Sequence, residues 1–237
     1  MPTRINSNDI NNFSILREDI SSRKSRHLTW QHDLNAVTVT TVSTDIAAIV
    51  TGNTTTGTIS ISDNTTSPWE TVQTTNTSGH WYARGSFKPV TQLSWEPYIN
   101  FRVLTAASIA SVRIWIGLSD IGFANVGSPT SGNIAAFSYD TSRDGAANWQ
   151  AVTCDATTST VVPLSTIANS TAYNLTMNCY SGGNAIDFYV NDSLLYTQTG
   201  TLPSSSAQLS WYIGIENNTN PAVAKKIAWS YVDLYQN

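Results

Sequence analysis

Charged residues are scarce in this sequence. Asp, Glu, Lys and Arg together make up 12% of the 237 residues, whereas Thr, Ser and Asn are abundant. A typical soluble domain carries about 25% charged residues. Thr favours the pleated surface of strands, and Ser and Asn favour turns. The composition therefore indicates a β-rich protein whose polar surface consists mainly of hydroxyl and amide groups.

Long apolar runs are absent as well. No run of 18 apolar residues occurs, so the sequence predicts no membrane span. The N-terminus lacks the apolar core of a secretory signal, because Ile10, Phe13 and Leu16 are interleaved with polar residues. We therefore expect a protein that is made in the cytoplasm and either stays there or leaves without a signal peptide.

Cysteine is limited to Cys154 and Cys179, each at the end of a predicted strand. A cross-strand disulfide is geometrically feasible, but without a secretion signal we expect two reduced, buried thiols. Their spacing and the lack of nearby His argue against a zinc site. The sequence predicts no cofactor and no metal ion.

The net charge of −4 is unevenly distributed along the chain. Residues 1–30 hold five cations and three carboxylates, so they carry +2 and the remaining residues carry −6. Because phosphate backbones attract basic surfaces, an acidic body argues against nucleic-acid binding by the main domain. The basic segment fits an acidic partner surface, although a solvated tail is the alternative.

The same segment predicts an N-terminal arm over residues 1–30. Apolar residues recur at helical spacing after Asn8-Asp9, which can cap a helix, and a polar hinge with cations follows them. A helix this short is marginal alone, so we expect the arm to dock on a partner protein or a sister subunit. The alternative is an arm folded back onto its own domain. The residues predicted to bind are Ile10, Phe13, Leu16, Ile20, Arg23, Lys24 and Arg26.

Residues 31–237 show the alternation of apolar and polar residues that is typical of strands. The stretch 31–68 is a Thr-rich strand segment, with predicted strands at 37–42, 46–50 and 58–62, and 69–237 is the aromatic core region. In the run from Val112 to Leu118, the pattern places Val112, Ile114 and Ile116 on one face and Arg113 and Trp115 on the other. About a dozen short strands separated by turns predict an all-β sandwich.

Two later runs give more specific predictions. In the first, Ile186, Phe188 and Val190 share a face, Asn191-Asp192 forms a tight turn, and Leu194-Leu195-Tyr196 returns antiparallel. In the second, Ile227, Trp229, Tyr231 and Tyr235 are expected to face one way.

Catalytic patterns are missing from the sequence. A glycoside hydrolase needs two carboxylates about 5–10 Å apart, and Asp187 has no acidic partner two or four residues away, while Asp140 and Asp144 flank a turn. No nucleophile elbow or phosphate-binding loop occurs. Asp140 to Gly145 could chelate Ca²⁺, but an Asp-Gly turn is the preferred interpretation. The sequence thus predicts a protein that is not an enzyme.

The central runs carry a family resemblance, covering roughly residues 94–235. They resemble the concanavalin A-like (lectin/glucanase) jelly-roll module, in the version found in structural proteins of tailed bacteriophages. The glucanases of this family place their carboxylates as Glu-x-Asp-x-x-Glu on one strand, a pattern that is absent here. The resemblance implies an all-β, two-sheet antiparallel jelly-roll sandwich on a virion surface. It rests on Phe137-Ser138-Tyr139-Asp140, Asn148-Trp149-Gln150-Ala151-Val152-Thr153, Tyr173-Asn174-Leu175 and Phe188-Tyr189-Val190-Asn191.

These observations favour a non-enzymatic virion structural protein, specifically a capsid decoration (cement) protein anchored by its arm. Its expected partners are the major capsid protein or another virion protein, and itself as a homotrimer. The alternative is a tail fibre or spike component that binds a host-surface carbohydrate. For that role, aromatic residues beside amides and carboxylates predict a glycan site at Trp149, Trp211 and Tyr212.

Overall fold

The fold is known from a computed structural model, which describes residues 13–14, 26–31, 49–52, 69–74, 81–85, 90–121, 132–142, 148–218 and 225–236. Fifteen β-strands make up most of these residues, and two short 3₁₀ turns lie at Leu93–Trp95 and Ser181–Gly183. No helix in this part of the chain is long and apolar enough to cross a membrane. The strands are β1 (Phe13–Ser14), β2 (Arg26–Gln31), β3 (Ile49–Gly52), β4 (Glu70–Gln73), β5 (Trp81–Gly85), β6 (Tyr98–Thr105), β7 (Val112–Ser119), β8 (Gly132–Asp140), β9 (Asn148–Ala156), β10 (Ser159–Thr166), β11 (Ala172–Tyr180), β12 (Ala185–Val190), β13 (Ser193–Gln198), β14 (Ser210–Asn217) and β15 (Lys226–Gln236).

The strands form two sheets in which every pairing is antiparallel. The first sheet has the order β1-β2-β15-β6-β11-β12-β13, and β4 also pairs with β15. The second sheet has the order β10-β9-β8-β7-β14-β5-β3. The prediction of an all-β, two-sheet antiparallel sandwich is therefore confirmed.

The main core lies between the two sheets. Phe137 of β8 meets Phe188 of β12 edge to face, with ring centroids 5.3 Å apart. Trp211 of β14 contacts Trp229 of β15, with ring centroids 5.5 Å apart. Both pairs join the first sheet to the second, and all four side chains are almost completely buried. Aromatic contacts of this kind fix the spacing of the two layers.

Strand β7 places apolar side chains on both faces of the second sheet. Val112, Ile114 and Ile116 point into the main core, as the alternation predicted, and Trp115 points the other way. There it joins a second buried cluster on the outer face of this sheet. The cluster consists of Trp115, Ile134, Ala136, Val152 and Cys154, with Tyr212 packed against it. The outer face of the second sheet therefore contains a buried apolar cluster of its own.

Both cysteines are buried and free. Cys154 belongs to the outer cluster of the second sheet, whereas Cys179 of β11 faces the main core from the first sheet. A cross-strand disulfide between them is excluded because they lie in different sheets. Burial raises the pKa of both thiols, so they behave as apolar core groups.

The predicted hairpin is confirmed. Strands β12 and β13 pair antiparallel across Asn191 and Asp192, which have φ angles of 49° and 65°. Positive φ at both central residues is what a tight hairpin turn requires, and Asn and Asp tolerate it. Ile186, Phe188 and Val190 all face the core, as expected.

The prediction for β15 is wrong in its second half. Ile227 and Trp229 are buried, but the register of β15 against β6 shifts between Trp229 and Tyr231. One extra residue at this β-bulge reverses which side chains face the core. The buried residues then become Val232 and Leu234, while Tyr231 and Tyr235 point outward.

The N-terminal segment also differs from the prediction. Phe13 forms strand β1 with Ser14 and pairs with Trp30 of β2, rather than lying in a helix. Strand β2 begins at Arg26 and pairs with β15, so residues 26–30 belong to the sandwich and not to a separate arm. Strand pairing supplies backbone hydrogen bonds that an isolated short helix could not maintain. Ile10, Leu16, Ile20, Arg23 and Lys24, together with the predicted strands at 37–42 and 58–62, lie outside the described residues.

Candidate functional site

Tyrosine and amide side chains cover the outer face of the first sheet. In β6, Ile99, Phe101 and Val103 point into the core, so the residues between them point outward. The same alternation in β11 and β12, and beyond the bulge in β15, completes one polar surface. We call it the tyrosine face, and it consists of Tyr98, Asn100, Arg102, Asn174, Thr176, Asn178, Tyr180, Asp187, Tyr189, Tyr231, Asp233 and Tyr235.

The strand register arranges these side chains in rows. Successive rows lie two residues apart along each strand, or about 7 Å. One row crosses four neighbouring strands as Tyr235, Tyr98, Asn178 and Asp187. The next consists of Asp233, Asn100, Thr176 and Tyr189, and the third of Tyr231, Arg102 and Asn174.

Tyr98 and Tyr235 are the most exposed aromatic residues of the tyrosine face. They retain 38% and 45% of their accessible surface, and their rings meet edge to face at 6.0 Å. The pKa of the Tyr235 hydroxyl is raised by burial and by the nearby carboxylate of Asp233. Two aromatic rings are thus available to a partner beside a negative charge.

Asp187 organises the other end of the same row. The Thr197 hydroxyl donates to its Oδ1 at 2.6 Å, and the Tyr180 hydroxyl donates to the same atom at 3.3 Å. The Tyr189 hydroxyl donates to Oδ2 at 3.3 Å. Burial, and then the charge of Asp187, raise the pKa of both tyrosine hydroxyls. These hydroxyls therefore stay protonated and hold the carboxylate in one orientation.

Arg102 lies in the third row and is held by two neighbours. Its Nη1 donates to Asn174 Oδ1 at 3.2 Å, and its guanidinium carbon lies 5.8 Å from the centroid of the Trp69 ring. This distance is within the range of a cation–π interaction.

The outer face of the second sheet carries an ionic cluster instead. Arg113 of β7 donates from Nε to Asp140 Oδ2 at 2.6 Å and from Nη1 to Glu216 Oε2 at 2.7 Å. The arginine side chain is 11% exposed, Asp140 is fully buried, and Glu216 is 19% exposed. Arg113, Asp140 and Glu216 occupy facing positions on β7, β8 and β14, so the sheet register brings them together.

Asp140 accepts further hydrogen bonds, and some of these lower its pKa. Ser142 donates to Oδ1 from its backbone nitrogen at 2.9 Å and from its hydroxyl at 2.7 Å, and Asn218 Nδ2 donates to the same atom at 2.9 Å. Burial alone would raise the pKa of Asp140, but the hydrogen bonds from Ser142 and Arg113 lower it below its usual value. Burial raises the pKa of Glu216, which Arg113 partly offsets.

This cluster does not offer the open pair of carboxylates that glycoside hydrolysis needs. A hydrolase keeps about 5–10 Å between its two carboxyl groups, open to sugar and water. Here one guanidinium bridges both carboxylates. The described residues contain no group of three or more His, Cys, Asp and Glu side chains that could bind a metal ion. The oxygens of Asp140 considered for Ca²⁺ are instead occupied by protein donors.

Asp140 should make folding stability depend on acid pH. Its pKa in the folded protein is below the ordinary value of 3.8, so the unfolded chain takes up the proton first. The contribution of Asp140 is present above pH 3.8 and is lost as the pH falls towards the folded pKa. We expect Asp140→Asn to show a shallower loss of stability than the wild type over this range. Urea unfolding between pH 5 and pH 2.5 measures it, and equal slopes would contradict the assignment.

The glycan residues predicted from the sequence need correction. Trp149 and Trp211 are both completely buried in the main core. The ring of Trp149 packs edge to face on that of Tyr173, with ring centroids 5.6 Å apart. A ring without an exposed face cannot stack on a sugar. Tyr212 is half-buried against the cluster on the outer face of the second sheet. The structure therefore does not bring the three residues together into a site.

The tyrosine face was missed, although the sequence carries its signal. Tyr98, Asn100 and Arg102 occur at every second position between core residues, and Tyr231, Asp233 and Tyr235 repeat the pattern. The bulge in β15 concealed the second set, because an unbroken strand would have put these tyrosines in the core. Arg113 was expected on the outer face, but its two carboxylate partners come from distant parts of the sequence.

Comparison with solved structures assigns the fold to the concanavalin A-like class. A protein of unknown function from Shewanella oneidensis MR-1 is 12% identical in sequence and has a TM-score of 0.61. The match covers 100% of this chain and 96% of that protein. The β-glucanase of Bacillus licheniformis is 11% identical in sequence and has a TM-score of 0.58. The match covers 88% of this chain and 98% of the glucanase. The carbohydrate recognition domain of Emp47p is 8% identical in sequence and has a TM-score of 0.53. The match covers 72% of this chain and 89% of that domain.

At these identities the likeness defines the fold, which a hydrolase and a carbohydrate recognition domain share. No protein-family model matches the sequence. No curated protein matches it significantly either.

Proposed function

We propose that this protein is a non-enzymatic structural protein of a virus particle, and that it decorates the capsid. The observation that carries the proposal is the tyrosine face, on which the rings of Tyr98 and Tyr235 are exposed. Tyrosine is enriched at protein interfaces because its ring buries a large area at low entropic cost and its hydroxyl can still hydrogen bond. The sequence resemblance to tailed-phage structural proteins supports the virion role.

The ionic cluster of Arg113, Asp140 and Glu216 supports the non-enzymatic part. A general acid must exchange a proton with substrate, whereas Asp140 is buried and bound by four protein donors. The cluster instead ties three strands of the second sheet together. Its role is to stabilise the scaffold that presents the first sheet.

The N-terminal segment and the tyrosine face meet on the same sheet. β2 pairs with β15 so that His27 is the Cα partner of Tyr235, at the end of the first row. Strand β2 therefore begins beside the exposed tyrosine pair. In the proposed role, Arg23 and Lys24 contact the shell together with this face, and the protein associates with itself as a homotrimer.

A tail fibre or spike component that binds a host-surface glycan is the second candidate. It is favoured by the mixture of exposed rings with Asn178, Asp187 and other hydrogen-bonding groups, which is the chemistry that sugar recognition uses. Under this alternative, the tyrosine face replaces Trp149 and Trp211 as the sugar site.

Sedimentation of the full-length protein with virus shells tests the first role. We expect Tyr98→Ser/Tyr235→Ser to weaken shell binding by about tenfold, because aromatic anchors commonly contribute about 1–2 kcal/mol. Arg23→Gln/Lys24→Gln should also weaken shell binding, because it removes two positive charges from the proposed contact. Tyr212→Ser, on the other sheet, is the matched control and should bind normally. Wild-type protein that ignores shells but binds a glycan array would replace decoration with the fibre role. Light scattering of the unbound protein tests the trimer.

A further inference from the structure

We infer that the tyrosine face binds cationic side chains, Lys or Arg, presented by its protein partner. This inference rests on the proposed docking function and specifies the chemistry of the partner surface. Three features of the described residues support it: the position of the exposed rings, the carboxylates beside them, and a cation–π contact already present on the same sheet.

Two carboxylates share the tyrosine face with the exposed ring pair. Asp233 precedes Tyr235 by two residues on β15 and therefore occupies the adjacent row on the same face. Asp187 lies at the far end of the row that contains Tyr235, Tyr98 and Asn178, next to Asn178. The face of a tyrosine ring attracts a cation through its quadrupole, and a carboxylate nearby adds a direct charge attraction. A long cationic side chain can contact a ring along its stem and reach a carboxylate with its head.

Asp187 is oriented for such a contact. Its three donors, the hydroxyls of Thr197, Tyr180 and Tyr189, are neutral groups. They fix the direction of the carboxylate and leave its negative charge in place. A preoriented carboxylate loses less conformational freedom on binding, so more of the electrostatic attraction appears as affinity.

The tyrosine face already holds one cation by the same chemistry. Arg102 lies over the Trp69 ring at 5.8 Å and hydrogen bonds to Asn174. It belongs to the third row, so the row of Tyr98 and Tyr235 lies two rows away. In this contact an aromatic ring next to the sheet and an amide oxygen on the tyrosine face together hold a guanidinium.

Charge selects against other partners. Residues 31–237 carry −6, so nucleic acid is repelled. An uncharged glycan can stack on the rings and donate hydrogen bonds to the carboxylates, but it gains no attraction from their negative charge. A Lys- or Arg-bearing protein surface uses both features. Its association should therefore weaken as the salt concentration rises, because the charges lie at the protein surface.

Calorimetric titration with a tetra-arginine peptide tests the inference at low salt. Loss of both rings in Tyr98→Leu/Tyr235→Leu should weaken peptide binding by about tenfold. Asp187→Asn and Asp233→Asn, which change charge and almost no volume, should each weaken it by about threefold. Asp192→Asn is the matched control, since it removes an equal charge at the exposed β12–β13 turn. It should leave the affinity unchanged.

Three results would overturn the inference. The first is that wild-type protein fails to bind the peptide, and the second is that the ring variants bind it as tightly as wild type. The third is that Asp192→Asn weakens binding as much as Asp233→Asn. Circular dichroism of each variant verifies that the sandwich remains folded. Because no shell is present in this assay, peptide binding by a protein that ignores virus shells would overturn the virion role alone. Wild-type protein that binds shells through the two tyrosines but does not bind the peptide would overturn the inference alone.

Discussion

Replacing Arg113 with methionine is expected to lower the free energy of unfolding by about 3–5 kcal/mol. The substitution removes the cation that bridges Asp140 and Glu216, and the side chain of Asp140 has no exposure to water. A buried carboxylate without a cation keeps its desolvation cost and loses the attraction that compensated for it. Methionine fills much of the same volume, so the loss reflects charge rather than a cavity.

Urea unfolding at pH 7 measures the effect of Arg113→Met. Arg102→Met is the control, because it removes an arginine from the partly exposed tyrosine face and should cost no more than about 1 kcal/mol. The double variant Arg113→Met/Asp140→Asn should regain part of the loss, since it no longer buries an unpaired charge. Equal losses for Arg113→Met and Arg102→Met would show that the ionic cluster does not hold the second sheet together.

Phe137→Ala is expected to destabilise the protein by about 3–5 kcal/mol. Phe137 is completely buried and meets Phe188 edge to face across the two sheets. Truncation leaves a cavity between layers whose backbones are held by strand pairing on both sides. Neither sheet can therefore move in to fill it.

Thermal and urea unfolding of Phe137→Ala should be compared with those of two other variants. Phe137→Leu retains most of the volume and should lose less than about 2 kcal/mol. Leu194→Ala, at an apolar residue that is 50% exposed, should stay within about 0.5 kcal/mol of wild type. A loss below 1 kcal/mol for Phe137→Ala would mean that this contact does not join the layers.

Alternation was sufficient to predict much of the fold. The period of two in β7 and β12 identified the correct core residues, and Asn191-Asp192 identified the hairpin. It failed in β15, where one inserted residue exchanged the two faces. A bulge has no reliable sequence signal, because it depends on how the strand pairs with β6, which is distant in the sequence.

The candidate site was harder to predict, for two different reasons. Trp211 falls in a series of apolar residues at every second position, so the sequence itself indicated that its side chain faces the core. The others in the series are Leu209, Ile213 and Ile215. For the tyrosine face, each strand supplies only two or three outward residues. Their combination depends on the order β15-β6-β11-β12, which is not evident from a single sequence. The ionic cluster depends in the same way on three strands meeting in register.

Strand β15 pairs with β2, β4 and β6, and so it joins early, middle and late parts of the chain. The first sheet cannot be completed until residues 226–236 have emerged from the ribosome. Such distant pairings also make folding slow compared with that of helical proteins. Tyr231 and Tyr235 lie in this strand, so a nascent or prematurely terminated chain has no complete tyrosine face. If a partner binds through the tyrosine face, it can recognise only chains whose synthesis has passed β15.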